Sequence, residues 1–233
     1  MPDRPVAALF GAAGKMGREI LRQNQRENRL DIRYGYDPGS SGQLVEYLHM
    51  SAPPEHLPDE VRIVVDFSAA QAVTYNLQLA SERKAAYLCG VTALGSETMQ
   101  EMQRNSAEIA LLYSPNMSLA MNLMFALTRA SAAALPGYER HIEEIHHAAK
   151  KDAPSGTALR LAEAAGPDTP ITALRMGDVV GQHRIIFGGP GERLEIIHRA
   201  DSRAVFASGA LRAATWLLNQ KPGMYTMADV LGL

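Results

Sequence analysis

The chain has 233 residues and a formal net charge of −2, enough for one large domain or two modest ones and without the cationic excess of a polyanion binder. Its single cysteine, Cys89, excludes an intramolecular disulfide framework and a multi-cysteine zinc site. No apolar run approaches the roughly 20 residues that span a bilayer, and the first apolar residues run into a glycine motif rather than a leader cleavage site. A soluble cytoplasmic protein without nucleic-acid or membrane partners is expected.

Val6–Phe10, Asp31–Tyr36, Val61–Phe67, Ala86–Val91 and Ile109–Tyr113 are short and apolar, as parallel strands are. Helix-like stretches lie between several of them, at Met16–Glu27, Ala70–Arg83 and Ser96–Glu108. Strands alternating with helices predict βαβ units on a parallel sheet. Cys89 falls inside the fourth run and reads as a buried structural thiol. The segment Pro38–Pro58 is rich in Pro, Gly and Ser, with one helix-like piece at Leu44–His49.

After Asn116 the pattern changes. Ser118–Leu135 carries apolar residues at helical spacing and stops at Pro136-Gly137. A strand is predicted over Glu139–His147, a helix over Ser155–Ala165, and strands over His183–Phe187 and Arg193–His198. Strands without intervening helices predict a mixed or antiparallel sheet and hence a second subdomain. Ser202–Asn219 is again helical, and Met224–Leu233 reads as a short element docking back.

Gly11-Ala12-Ala13-Gly14-Lys15-Met16-Gly17 follows the first strand and opens the first helix. Glycines there let the backbone turn tightly and approach a pyrophosphate, which the helix N-terminus holds. Asp37, at the end of the second strand, stands where a carboxylate would accept hydrogen bonds from an adenosine ribose and repel a 2′-phosphate, which favours NADH. Lys15 could partly neutralise such a phosphate, so NADPH stays open. Gly90-Val91-Thr92 and Ser114-Pro115-Asn116-Met117 end further strands of the same sheet, where open α/β sheets bind ligands. Each also reads as an ordinary strand-to-helix turn.

The residues richest in chemistry are His146-His147-Ala148-Ala149-Lys150-Lys151-Asp152-Ala153-Pro154-Ser155-Gly156-Thr157-Ala158. Imidazoles move protons near neutral pH, and a Ser-Gly-Thr turn opening a helix offers backbone N–H groups to an anion. This combination predicts chemistry on a small acidic molecule. Adjacent histidines on a strand point to opposite faces, so His146 and His147 make an awkward metal pair and no metal is expected. Lys151 reads as a solvated charge.

From end to end, these motifs resemble the dihydrodipicolinate reductase (4-hydroxy-tetrahydrodipicolinate reductase) family of lysine and diaminopimelate biosynthesis. The resemblance covers nearly the whole chain and includes the glycine turn, Val65-Asp66-Phe67-Ser68, Gly90-Val91-Thr92 and Ser114-Pro115-Asn116-Met117-Ser118. It continues through the His146–Ala158 loop, Arg175-x-Gly177-x-x-x-Gly181-x-His183, Gly191-Glu192-x-Leu194-Glu195 and Ser202-Arg203.

The fold so implied is α/β: a Rossmann-type dinucleotide-binding domain of residues 1–116 plus 204–233, and a second α+β domain on a mixed sheet, residues 117–203, for substrate binding and oligomerisation. The resemblance implies that His146 is the general acid, that Lys150 binds the substrate and assists proton transfer, and that His147, Ser155, Gly156 and Thr157 hold the dicarboxylate substrate. Arg203 is a further carboxylate contact. Cofactor contacts fall on Gly11, Ala12, Ala13, Gly14, Lys15, Met16, Asp37, Gly90, Val91, Thr92, Ser114, Pro115, Asn116 and Met117, for NADH or NADPH. A homotetramer is implied, with Ile185–Phe187 and Leu194–Ile197 as candidates for either its apolar surface or the internal core. The chain departs from the family by shortening at Pro38–Glu60 and Gly166–Thr172, and by Val91 where a threonine is common. Another NAD(P)-dependent oxidoreductase on the same scaffold and a non-catalytic cofactor-binding regulator are the competing readings. The histidine–lysine–Ser-Gly-Thr constellation favours the reductase over both.

Overall fold

The computed structural model describes residues 4–233, so residues 1–3 of the expected first domain lie outside it. The chain divides into two compact units, one of residues 4–118 with Ala204–Gly232 and one of Leu119–Arg203.

The first unit runs β1 (Val6–Phe10), α1 (Lys15–Glu27), β2 (Asp31–Tyr36), β3 (Leu44–Val45), β4 (Leu48–Ser51), β5 (Ile63–Asp66), α2 (Val73–Arg83), β6 (Ala86–Cys89), α3 (Ser96–Asn105) and β7 (Ala110–Tyr113). The second unit holds α4 (Leu119–Ala134), β8 (Glu139–His146), α5 (Gly156–Ala165), β9 (Ile171–Arg175), β10 (Gly181–Gly189) and β11 (Glu192–Ala200). The chain then returns to the first unit as α6 (Ala204–Leu217), β12 (Gly223–Tyr225) and α7 (Met227–Leu231). Among the described residues no helix is long and apolar enough to cross a membrane.

The first sheet has the order β12-β7-β6-β5-β1-β2-β4-β3 and is parallel except for the β3–β4 hairpin. From β1 the chain moves outward to β2 and β4, then crosses back to β5 on the other side of β1. That reversal is the switch point at which open α/β sheets bind ligands, outside the carboxyl ends of the strands. Strand alternation divides the core into two layers. Ala8, Phe10, Val64, Tyr87 and Leu111 join Val73 and Leu77 of α2 on one face. The fully buried Ala7 and Leu9 point the other way, and on α1 and α6, which pack together, Ile20, Leu21, Ala210, Ala214 and Leu217 are buried.

The helix expected at Leu44–His49 is instead the β3–β4 hairpin, turning at Glu46 with φ 57°. Its burial has a period of two, not of a helix: Val45 and Met50 are buried and Leu44 is exposed. The parallel pairing of β4 with β2 gives its backbone a tertiary set of partners that outweighs a weak local helical preference. Met224–Leu233 resolves into β12, added parallel to β7, and α7, whose start is closed by a Thr226–Asp229 capping box.

The second sheet has the order β11-β10-β8-β9, with β8 and β9 parallel and the other pairs antiparallel. Met121, Met124 and Phe125 of α4 and Ala158, Leu161 and Ala165 of α5 bury Ile142, Ile185 and Phe187 of this mixed sheet. Ile185 and Phe187 are therefore core, whereas Leu194 and Ile197 are each 41% exposed. Strand β9 falls in a stretch for which the sequence pattern predicted no element.

Close helix–strand packing at the first turn makes Gly17 sensitive, because a Cβ there would lie 2.3 Å from the carbonyl oxygen of Gly11. Gly17→Ala is expected to lower the urea unfolding free energy by about 1–3 kcal/mol. Gly188→Ala, with nothing within 4 Å of its added carbon and no cap or turn at the position, should stay within about 0.5 kcal/mol of the wild type.

Candidate active site

The glycine turn of the first unit is shaped by backbone crowding. Gly11 adopts φ +71°, and a Cβ on it would meet the Phe67 carbonyl oxygen at 2.4 Å. The N–H groups of Gly11 and Ala12 both donate to the Tyr36 carbonyl, at 2.9 and 3.4 Å, which sets Asp37 beside the turn. Gly14 is the extended N-cap of α1 and supplies no side-chain cap. The first-turn N–H groups, including those of Lys15 and Met16, thus lack a capping side chain and face the end of the helix where an anion is stabilised. Ala12 is buried, Ala13 accepts from Arg18 Nε through its carbonyl at 2.8 Å, and Lys15 is exposed. Asp37 is half-buried, with its N–H donated to Ser51 O at 2.9 Å. This tight turn, too crowded by backbone to admit side chains at Gly11 and Gly17, with a helix N-terminus that no side chain caps, fits a dinucleotide.

A buried carboxylate holds the neighbouring loop. Asp66, fully buried at the end of β5, accepts from the Ser68 N–H at 2.8 Å, from Asn76 Nδ2 at 2.9 Å and from the Tyr87 hydroxyl. The loop so fixed places the Phe67 carbonyl under Gly11 and its ring where a side chain on Gly90 would stand. Burial first, and then the Asp66 charge, push the phenol of Tyr87 and the thiol of Cys89 up, so Cys89 is a buried neutral thiol. Of the other expected cofactor residues, Val91, Ser114 and Met117 turn their side chains inward, Thr92 is exposed, and Pro115 and Asn116 are half-buried. The Ser114 hydroxyl donates to Asn116 O at 2.8 Å, and Asn116 Oδ1 accepts from the Ser118 N–H at 2.9 Å.

In the second unit the sheet register assembles a polar cluster. Ile142, Glu144 and His146 share the buried face of β8, and His183, Ile185 and Phe187 share that of β10. The antiparallel register sets His183 opposite Glu144, and the parallel one sets Arg175 of β9 opposite His146. Glu144 is fully buried. Its Oε1 accepts from the Ser155 N–H at 2.9 Å and from Arg175 Nη2 at 2.8 Å. Its Oε2 lies 3.1 Å from His146 Nδ1 and 3.7 Å from His183 Nε2. Arg175 also donates to the Asp152 carbonyl, tying β9 to the loop after β8.

The His146–Ala158 loop divides by environment. His146 is buried, His147 half-buried, and Lys151 exposed. Lys150 Nζ binds both oxygens of Asp152 at 2.8 Å. Ser155 is buried as the N-cap of α5: its Oγ accepts from the Ala158 N–H at 3.2 Å and lies 3.4 Å from His183 Nε2. Gly156 stands exposed at the helix start, followed by the half-buried Thr157. Arg203 is exposed immediately before α6.

Burial alone would push the Glu144 carboxyl up, but its contacts with His146, Ser155 and Arg175 outweigh burial and hold it well below the usual carboxylate range. Burial, reinforced by His146, pushes His183 down to about 3 despite the nearby Glu144 charge, so it stays neutral. One donor atom from each of Glu144, His146 and His183 lies within 4.8 Å of the others, a spacing that raises the question of a metal ion. A proton satisfies the group more simply. The 3.1 Å separation is an ion-pair distance that one shared proton can bridge, and the other carboxylate oxygen already carries the Arg175 guanidinium.

Comparison with known proteins decides the family. The dihydrodipicolinate reductase N-terminal family model matches residues 6–117, and the C-terminal model matches residues 120–231. A protein of Syntrophus aciditrophicus named 4-hydroxy-tetrahydrodipicolinate reductase is 34% identical over 262 aligned positions, covering 97% of this chain and 98% of that one. One of the same name from Anaeromyxobacter sp. is 37% identical over 260 positions, covering 97% of each. The chain belongs to the dihydrodipicolinate reductase family. In fold it is similar to the dipicolinate-bound dihydrodipicolinate reductase of Paenisporosarcina sp. TG-14, with a TM-score of 0.79 at 19% identity over 97% of this chain and 99% of that one. It is also similar to GenD2 of gentamicin A biosynthesis in complex with NAD, with a TM-score of 0.66 at 13% identity over 99% of this chain and 91% of that one.

In this member of the dihydrodipicolinate reductase family, Glu144, Arg175 and His183 belong to the cluster although sequence reading gave them no role. The usable signal was parity: Glu144 lies two residues from both Ile142 and His146, and His183 two from Ile185. Asp66 and Phe67 carry no signal of their own in the sequence beyond the motif that contains them.

The cluster sets how stability depends on pH. The folded chain keeps His183 unprotonated down to about pH 3, whereas the unfolded chain protonates it near pH 6.5. Its contribution is therefore complete above about pH 6.5 and falls as pH is lowered, by up to about 1.4 kcal/mol per pH unit. The depressed Glu144 adds a further loss below about pH 4.3. In urea unfolding at pH 7.5 and 5.0, His183→Gln should lose less stability on acidification than the wild type. Parallel losses would contradict a buried neutral His183.

Proposed function

We propose that this chain reduces 4-hydroxy-tetrahydrodipicolinate to tetrahydrodipicolinate in lysine and diaminopimelate biosynthesis, with NAD(P)H as reductant. The observation that carries this reading is the buried Glu144–His146 pair beside Lys150 and the start of α5. It is supported by 34% identity over 97% of the chain to a relative of that name. The second unit, with residues 117–203 as the functional segment, binds substrate. Residues 1–116 and 204–233 bind the dinucleotide.

A dihydronicotinamide, held by the glycine turn and Asp37, would supply a hydride to the conjugated ring. His146 supplies the proton that the resulting electron density requires, a contribution of roughly 10²- to 10⁴-fold for a general acid. Lys150 binds a substrate carboxylate and assists proton transfer. His147 and the backbone of Gly156 and Thr157 hold the rest of the dicarboxylate, with Ser155 fixing the helix start beside them and Arg203 as a further carboxylate contact. Gly11–Met16, Asp37, Gly90–Thr92 and Ser114–Met117 contact the cofactor. Val91, Ser114 and Met117 do so through their backbone, since their side chains are buried. The protein works as a cytoplasmic homotetramer, a reading supported by exposed Leu194 and Ile197 on β11.

The test generates the substrate from pyruvate and aspartate semialdehyde with the upstream synthase and follows the nicotinamide absorbance. Oxidation of NADH or NADPH is expected, and the absence of both sinks the reading. His146→Gln and Lys150→Ala should each lower kcat by at least about 10²-fold. Near-normal turnover in either would remove that residue from its role.

The half-buried Asp37 beside the glycine turn favours NADH, because its charge opposes a 2′-phosphate. The KM for NADH should be below that for NADPH, and Asp37→Ser should narrow the gap. A wild-type KM for NADPH well below that for NADH would refute the preference.

A further inference from the structure

An acid histidine must turn one nitrogen to the reacting atom and commit the other elsewhere, so that ring orientation and tautomer persist between turnovers. Building on the role of His146 above, we propose that Glu144 is the positioning carboxylate of this site: its Oε2 holds the Nδ1–H of His146, leaving Nε2 as the nitrogen that exchanges protons with substrate.

The carboxylate is itself fixed. Oε1 is taken by the Ser155 N–H and Arg175 Nη2, so Oε2 is the oxygen left for the imidazole, 3.1 Å from Nδ1. Both atoms are buried and neither makes a well-aligned hydrogen bond in this geometry, so the pair at 3.1 Å, closer than the 3.7 Å from Oε2 to His183 Nε2, is the contact through which each can be satisfied. On the opposite edge of the ring stands Gly181, where a Cβ would lie 3.2 Å from Nε2 and 3.4 Å from Cδ2. The missing side chain leaves room at the nitrogen that must meet substrate.

The surrounding charges agree. Arg175 from β9 neutralises Glu144, and Lys150 from the loop is matched by Asp152. His183 from β10 stands edge-on to His146, ring centroids 5.2 Å apart at 75°, and is held neutral. His198 from β11, opposite His183 in the register, is pushed down by burial against the nearby Asp201. A protonated His146 is then the unmatched cation of the cluster, which an incoming dicarboxylate balances. In the transfer the Nε2–H bond breaks as the new bond to substrate forms, leaving a neutral imidazole with its Nδ1–H on Glu144. Solvent then reprotonates Nε2.

Two readouts test this on the full chain. Histidine ¹⁵N spectra of the free protein at about pH 9, where an ordinary imidazole is neutral, should show His146 as the Nδ1–H tautomer, with that preference lost in Glu144→Gln. Steady-state kinetics should show Glu144→Gln lowering kcat by about 10²-fold, as loss of the aligned general acid would. The alkaline fall of its kcat profile should move to lower pH by about one unit, since an amide no longer stabilises the imidazolium. The KM for the nicotinamide cofactor should stay within about twofold, because Glu144 binds no part of it. Glu143→Gln, which removes an equal charge from the Arg184 pair on the other face of β8, should leave both readouts unchanged. Wild-type His146 as the Nε2–H tautomer overturns the proposal, even if Glu144→Gln does not fold. So does a loss of kcat with an unmoved alkaline limb, which would mark a structural role. Absence of reductase activity in the wild type would sink the functional reading instead, whereas activity indifferent to Glu144 would sink this inference alone.

Discussion

A fully buried carboxylate organises the second unit. An isolated anion in an apolar interior is so unfavourable that it persists only when paired and hydrogen-bonded. Glu144 meets that condition through Arg175 on β9, the Ser155 N–H at the start of α5 and His146 two residues along its own strand. These partners come from separate pieces of chain, so satisfying one charge fixes a strand edge, a helix start and an imidazole together. Removing a partner would leave part of the charge uncompensated, a larger penalty than the gain from forming any one contact.

The first unit uses the same device at the same kind of position. Asp66 ends β5 as Glu144 nears the end of β8, and both are fully buried. Asp66 spends its oxygens on the Ser68 N–H, Asn76 and Tyr87, and the loop it immobilises carries the Phe67 carbonyl that crowds Gly11. In each unit an apolar strand face ends in a buried carboxylate that ties down the following loop: Phe67-Ser68 after β5, and the candidate site residues as far as Ser155 after β8. Rigid elements position such groups better than free loops do, and here the loops gain rigidity from the strand ends.

Sequence pattern read the first unit well because its strands are continuous apolar runs between amphipathic helices, a signal that local periodicity captures. It failed at Leu44–His49, where pairing of β4 with β2 decides the conformation and no local window contains that partner. Strand β9 was missed for a related reason: Thr172 and Leu174 are exposed, Ile171 and Ala173 are only half-buried, and the segment follows a Pro- and Gly-containing turn. His146 and Lys150 were legible because histidine and lysine advertise chemistry in a loop. Glu144 and Arg175 were not, because a charged residue on a strand reads by default as its solvent face. Their burial depends on which residues the register sets opposite them, His183 and His146 respectively.

The loop also carries its own cation in a form that is cheap to release. Lys150 is held by both oxygens of Asp152, and the carboxylate side chain is 58% exposed. Exposed ion pairs of this kind contribute only about 0.2–1 kcal/mol, so exchanging Asp152 for a substrate carboxylate sacrifices little. Such an exchange would be like for like at the ammonium, which would keep one carboxylate partner throughout. Glu144 and Arg175 cannot exchange in the same way, because Glu144 is buried and its loss would strand the guanidinium and the Ser155 N–H together. The two acidic residues thus differ through burial alone: the exposed Asp152 can release Lys150 at little cost, whereas Glu144 cannot give up its partners.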